Sequence, residues 1–161
     1  MRKAVVTLMA GLLCLATQSG AQGARVSGDK ILEAKTMFGV DGPFRGPTNA
    51  IRGVPGAGAA WRLSGAKAEL ETGGKLEIEV EGLVLVSTGA NPVGVFRGLV
   101  SCQSIDGLGN PSIVNLSTGD FPASPAGDAE IEENLELPSP CIAPIIFVTN
   151  AAGRWFAVTG R

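Results

Sequence analysis

The 161-residue chain contains no histidine and no tyrosine, and aromatic residues make up only 5% of it. Without histidine there is no Ser-His-Asp or Cys-His nucleophile pair, no histidine-ligated zinc or haem, and no histidine pH switch. Scarce aromatics leave little material for sugar-stacking or base-stacking platforms. No G-x-S-x-G elbow or S-x-x-K pattern is present, and the glycine-rich run 53–60 lacks the lysine and spacing of a phosphate loop. Beyond the first 21 residues no apolar run is long enough to span a bilayer as a helix.

The amino terminus carries a different message. Residues 1–21 read MRKAVVTLMAGLLCLATQSGA: two basic residues, an apolar centre, then small residues at Ser19 and Ala21. This is the order of a secretory signal peptide, with cleavage expected after Ala21. A lipoprotein reading through Cys14 fits less well, because Leu13 stands where a small residue is wanted and Cys14 lies inside the apolar run. Losing Arg2 and Lys3 reduces the 13 basic side chains to 11 against 15 acidic ones, a net charge of −4 (11 − 15). A mildly acidic chain without a basic patch is a poor ligand for nucleic acid or anionic membranes. The expected location is the cell exterior, or the periplasm or envelope of a bacterium. Residues 22–29 read as a loose tail ahead of a single domain, 30–161.

After Cys14 is removed, Cys102 and Cys141 remain, an even number in a chain bound for an oxidising compartment. They predict one structural disulfide, since they lie far apart and lack the C-x-x-C spacing that activates a thiol.

Short alternating or apolar runs recur between Gly, Pro and Asn turns, and helical periodicity is hard to find. The clearest unit is 66–81, AKAELETGGKLEIEVE, where Ala66, Ala68, Leu70, Leu76, Ile78 and Val80 alternate with lysines and glutamates. Leu70 and Leu76 must share a face, so Thr72-Gly73-Gly74 is expected as a three-residue loop. That register places Lys67 opposite Glu79, Glu69 opposite Glu77 and Glu71 opposite Lys75. Further strands are expected at 31–40, 51–54, 60–63, 83–87, 93–104, 112–117, 129–137, 144–149 and 154–159, with a bend at Gly82 and a second hairpin across 150–153. About ten short strands imply an all-β fold: an antiparallel sandwich, immunoglobulin-like in the broad sense. The runs PIIFVT and RWFAVT lack clean alternation, which predicts burial on both faces and makes Trp155 and Phe156 core anchors.

Acid is the conspicuous polar feature, at Glu69, Glu71, Glu77, Glu79 and Glu81 and again from Asp128 to Glu136. Solvated strand faces are the default for such residues, and a small carboxylate-dependent hydrolase is the remote alternative, since glycoside cleavage needs only two carboxyl groups. Asp120, Asp128 and Glu130 could supply oxygen ligands to calcium, the one cofactor the sequence suggests, although their spacing matches no EF-hand or nonapeptide repeat. The loops 40–49 and 119–128 are the expected binding surface, and a Trp61 or Trp155 exposed to solvent would favour a carbohydrate-binding module. Asn115-Leu116-Ser117 is a glycosylation sequon that matters only in a eukaryotic exported chain.

The stretches NAIRGVPGAGAAW (49–61), NPVGVFRGLVSC (91–102), VNLSTGDFPASPAGDAEIEENLELPSPCIAPIIFV (114–148) and GRWFAVTG (153–160) resemble blocks of a family of small secreted proteins of unassigned function, known chiefly from bacterial genomes. The resemblance covers most of the chain beyond residue 21 and includes both cysteines. It implies a bacterial, exported origin and brings no ligand or catalytic residue. The resulting expectation is an exported, non-catalytic sandwich with a binding or structural role and an unidentified protein or surface partner.

Overall fold

Alternation along 65–81 builds the first sheet. In the computed structural model, which describes residues 28–160, β4 (Gly65–Glu71) and β5 (Lys75–Glu81) form an antiparallel hairpin. Its register pairs Leu70 with Leu76, Glu69 with Glu77 and Lys67 with Glu79, as the pattern requires. Ala68, Leu70, Leu76, Ile78 and Val80 are buried while the intervening charged residues face outward. Gly74 turns the loop at φ +87°, with no room for a Cβ against the Leu135 carbonyl. The hairpin gains β1 (Lys30–Ala34) on one side and β10 (Ala129–Asn134) on the other, giving the order β1-β4-β5-β10.

The second sheet has the order β2-β12-β11-β7-β8: β2 (Met37–Gly39), β12 (Trp155–Thr159), β11 (Ile142–Thr149), β7 (Val95–Ile105) and β8 (Pro111–Ser117). A short β9 (Phe121–Pro122) pairs with the start of β7. The sheets pack face to face. Gly98 marks a close approach, where a Cβ would come within 2.9 Å of the side-chain ends of Leu76 and Ile78. At one end β3 (Trp61–Arg62) and β6 (Val84–Leu85) make a two-stranded sheet, reached from β5 by the bend at Gly82, φ +63°. The result is an antiparallel β-sandwich.

β11 and β12 lie inside the larger sheet, and the consecutive residues 146–149 and 155–157 are buried whichever face they point to, which explains the loss of alternation there. Phe156 stacks on Trp61 with ring centroids 4.0 Å apart and meets Phe96 edge-on. Trp155 instead meets Phe44 and Phe147. Phe44 belongs to a short 3-10 turn, Gly42–Phe44, capped by the Asp41 carboxylate. Cys102, fully buried on β7, is joined to Cys141 at a Cα separation of 4.9 Å. The bridge ties the segment leading into β11 to the middle of β7.

Several expected elements take other forms. The strand expected at 31–40 breaks into β1 and β2, which join different sheets. Leu32 and Ala34 pack against the core from β1, and the alternation then breaks so that Met37 is buried, Phe38 is exposed and Val40 is buried again. Residues 51–54 make only a single bridge around a tight turn, with Arg52 at φ +50° and Gly53 at φ +80°. β9 appears inside a segment expected to be loop. The signal peptide and most of the expected tail, residues 1–27, lie outside the described residues. Gly28 and Asp29, expected in that tail, are tied to β4: the Gly28 N–H donates to the Glu71 carboxylate and the Asp29 carbonyl accepts from Thr72.

Candidate functional site

The chemistry-bearing side chains gather on the outer face of the four-stranded sheet. Its register lines up Glu33, Glu69, Glu77 and Glu132 as one row across β1, β4, β5 and β10, and Lys67, Glu79 and Glu130 as the next. Like charges directly opposite one another repel, so such rows need counter-charges. Lys30 supplies one, 2.8 Å from Glu69 and 3.8 Å from Glu33. Lys75 bridges Glu77 and Glu132, and Lys67 lies 3.1 Å from Glu79. Hydrogen bonding to Glu69, Glu79 and Glu77 respectively raises the pKa values of Lys30, Lys67 and Lys75, so the ammonium forms are favoured. Glu71, expected to face Lys75, accepts from Gly28, while Lys75 turns to the β10 side. Among the described residues Glu130 makes no ion pair. The face is indented by shallow depressions between these side chains, one of them bordered by Lys67, Glu69, Glu79, Glu130 and Phe121.

The residues proposed for calcium have separate engagements. Asp120 is hydrogen-bonded to the Arg97 guanidinium, which holds its carboxyl below the ordinary aspartate value. One oxygen of Asp128 accepts from the Gly82 N–H at 2.9 Å and the other from the Ser124 hydroxyl at 3.1 Å. Asp128 therefore fastens the bend that carries β5 into β6. Glu130 stands on β10 opposite Glu79. Among the described residues no group of three or more acidic or cysteine side chains is arranged to hold a metal ion.

Of the two loops expected to bind, 119–128 is fastened to neighbouring segments. Gly119 N–H donates to Glu133, and Asn91 donates through its side chain to the Ser124 carbonyl. Most side chains of the other, 40–49, are exposed, Phe44 among them. Both tryptophans are core residues, Trp61 at 4% and Trp155 at 2% exposure, so neither offers a stacking surface to a sugar. Asn115 is exposed on β8 and donates to the Arg52 carbonyl.

The cross-strand glutamate rows were only half visible beforehand. The β4–β5 pairings follow from local alternation, whereas the recruitment of Glu33 and Glu132 depends on strands brought in from distant sequence. A signal existed in the acids alternating along 129–133, which marks a strand with one wet face.

Fold and surface together define an antiparallel β-sandwich with one disulfide and an acid-rich sheet face. No family model matches the chain, and neither a curated protein nor a solved structure does. No helix among the described residues is long and apolar enough to cross a membrane.

Proposed function

We propose that the protein is exported, loses residues 1–21, and acts outside the cytoplasm as a non-catalytic sandwich that binds a protein or surface partner or forms part of a larger structure. The observation that carries this reading is the outer face of the four-stranded sheet. Its carboxylates stand in cross-strand rows tied by Lys30, Lys67 and Lys75, an arrangement that suits a solvated surface better than an acid and a base facing each other across a substrate. The Cys102–Cys141 bridge supports the export half, because such bridges persist in oxidising compartments.

Two measurements test the reading. The intact mass of the protein recovered from the exported fraction is expected to match a chain beginning at Gln22; retention of residues 1–21 in folded protein would overturn export by this route. Thermal melting in calcium against a chelator control is expected to show no difference. A ligand that prefers the native state must raise the melting point. A saturable upward shift would replace this reading with a calcium-binding module, and Asp120, Asp128 and Glu130 would be the first residues to substitute.

A further inference from the structure

A sheet edge offers alternating N–H and C=O groups that only another extended backbone meets in full, and exported proteins protect such edges with charge, bulges, brevity or cover. Three of the four edges of the two larger sheets are protected. β1 carries Lys30 and Glu33 and is bulged between Lys30 and Leu32. β10 carries Glu130, Glu132 and Glu133, with β9 packed beside it. β2 is short and lies against β3, so close that a Cβ on Gly39 would strike the Trp61 carbonyl.

β8 is different. It ends the larger sheet, pairs only with β7, and lies within a stretch, 107–119, that has no charged side chain. Thr118 N–H donates to the Gly98 carbonyl, so even-numbered residues of this strand point their backbone groups at β7. By the antiparallel alternation, those of Ile113, Asn115 and Ser117 point away from the sheet. Among the described residues no strand pairs with that side. The rim is apolar: Ile113 is 45% exposed and sits in a row with Gln103 and the 52% exposed Ile142, while Ile105 and Leu108 are exposed towards the hairpin tip.

We propose that two copies of this chain associate through β8, edge to edge and antiparallel, joining their larger sheets into one continuous sheet across a two-fold axis. Charge and register together favour the second copy as occupant. A charged edge paired with itself sets like charges side by side, whereas this neutral one does not. The register with Asn115 opposite Asn115 of the second copy pairs Ile113 with Ser117 twice and uses every outward N–H from 113 to 117. Pro111, which has no N–H to give, falls beyond the ladder. That register also sets Asp120 opposite Asn110 of the second copy, away from the other Asp120. Because no residue of the ladder from 113 to 117 is charged, association persists in high salt.

Sedimentation velocity of the purified oxidised protein over a concentration series tests this. The wild type is expected to move from monomer to dimer, unaffected by molar sodium chloride. In the double variant Ile113→Lys/Ser117→Lys the introduced lysines face each other twice across the axis, and dimer is lost. Mixing it with Ile113→Glu/Ser117→Glu, itself monomeric, restores a dimer containing one chain of each kind. Should either variant fail to fold, amide exchange on the wild type provides the check: Ile113, Asn115 and Ser117 become more protected as concentration rises. A wild type that stays monomeric, a dimer that survives the lysine variant, a mixture that does not pair, or amides indifferent to concentration each overturns the proposal. These results do not depend on export or on calcium, so they fail or hold separately from the function proposed above.

Discussion

Replacing Cys102 and Cys141 together with alanine removes the bridge while leaving no lone thiol. The cysteines are 39 residues apart, and the chain-entropy relation for a loop of that size gives about 4 kcal/mol of stabilisation through the unfolded state. Cys102 is fully buried, so losing its sulfur also costs packing contacts on the inner face of β7. At the usual unfolding entropy per residue, about 4 kcal/mol in a domain of this size lowers the melting temperature by on the order of 14 °C. The assay is calorimetric or fluorescence melting of wild type and double variant in non-reducing buffer, with a wild-type sample refolded under reductant alongside. The reduced wild type should melt close to the double variant. A double variant that melts within about 2 °C of the oxidised wild type would refute the entropic argument, because strain in the native state would then be cancelling the loop-closure gain.

Gly73 and Gly74 make a paired test of the hairpin loop. Gly74→Ala is expected to cost more than about 2 kcal/mol, since residue 74 has φ +87° and its new Cβ would lie 1.9 Å from the Leu135 oxygen. Gly73→Ala, with nothing within 4 Å, should stay within about 0.5 kcal/mol, and urea unfolding that ranks them equally would contradict the loop geometry. The pH profile follows from signs. Asp106, accepting from the backbone and side chain of Asn110 and from the Leu108 N–H, and Asp120 beside Arg97 both titrate below 3.8 when folded; their stabilisation is present above that value and lost as pH falls through the depressed one. Lys30, Lys67 and Lys75 titrate above 10.5, so their contribution holds below that value and is lost as pH rises through the raised one. With no histidine in the chain, melting temperature should be flat from about pH 5 to 9, and a step near pH 6 would show that another group couples to folding.

Local sequence determined the parts of this protein whose partners lie close by. The β4–β5 register, the turn at Thr72-Gly73-Gly74 and the bend at Gly82 follow from a period of two interrupted by glycine, because a one-residue slip would turn Leu70 and Leu76 to solvent. The double-sided burial of β11 and β12 was visible in the loss of alternation, and the disulfide in cysteine number and spacing. Tertiary structure alone decided how those pieces meet. That residues 30–39 divide between two sheets, that Glu33 and Glu132 extend a row begun by Glu69 and Glu77, and that Asp120 goes to Arg97 while Asp128 holds the Gly82 bend are all set by non-local pairing. The same holds for β8. Its residues carry no charge, but only strand order made it an edge, because alternation reports which face of a strand is dry and says nothing about which strand stands beside it.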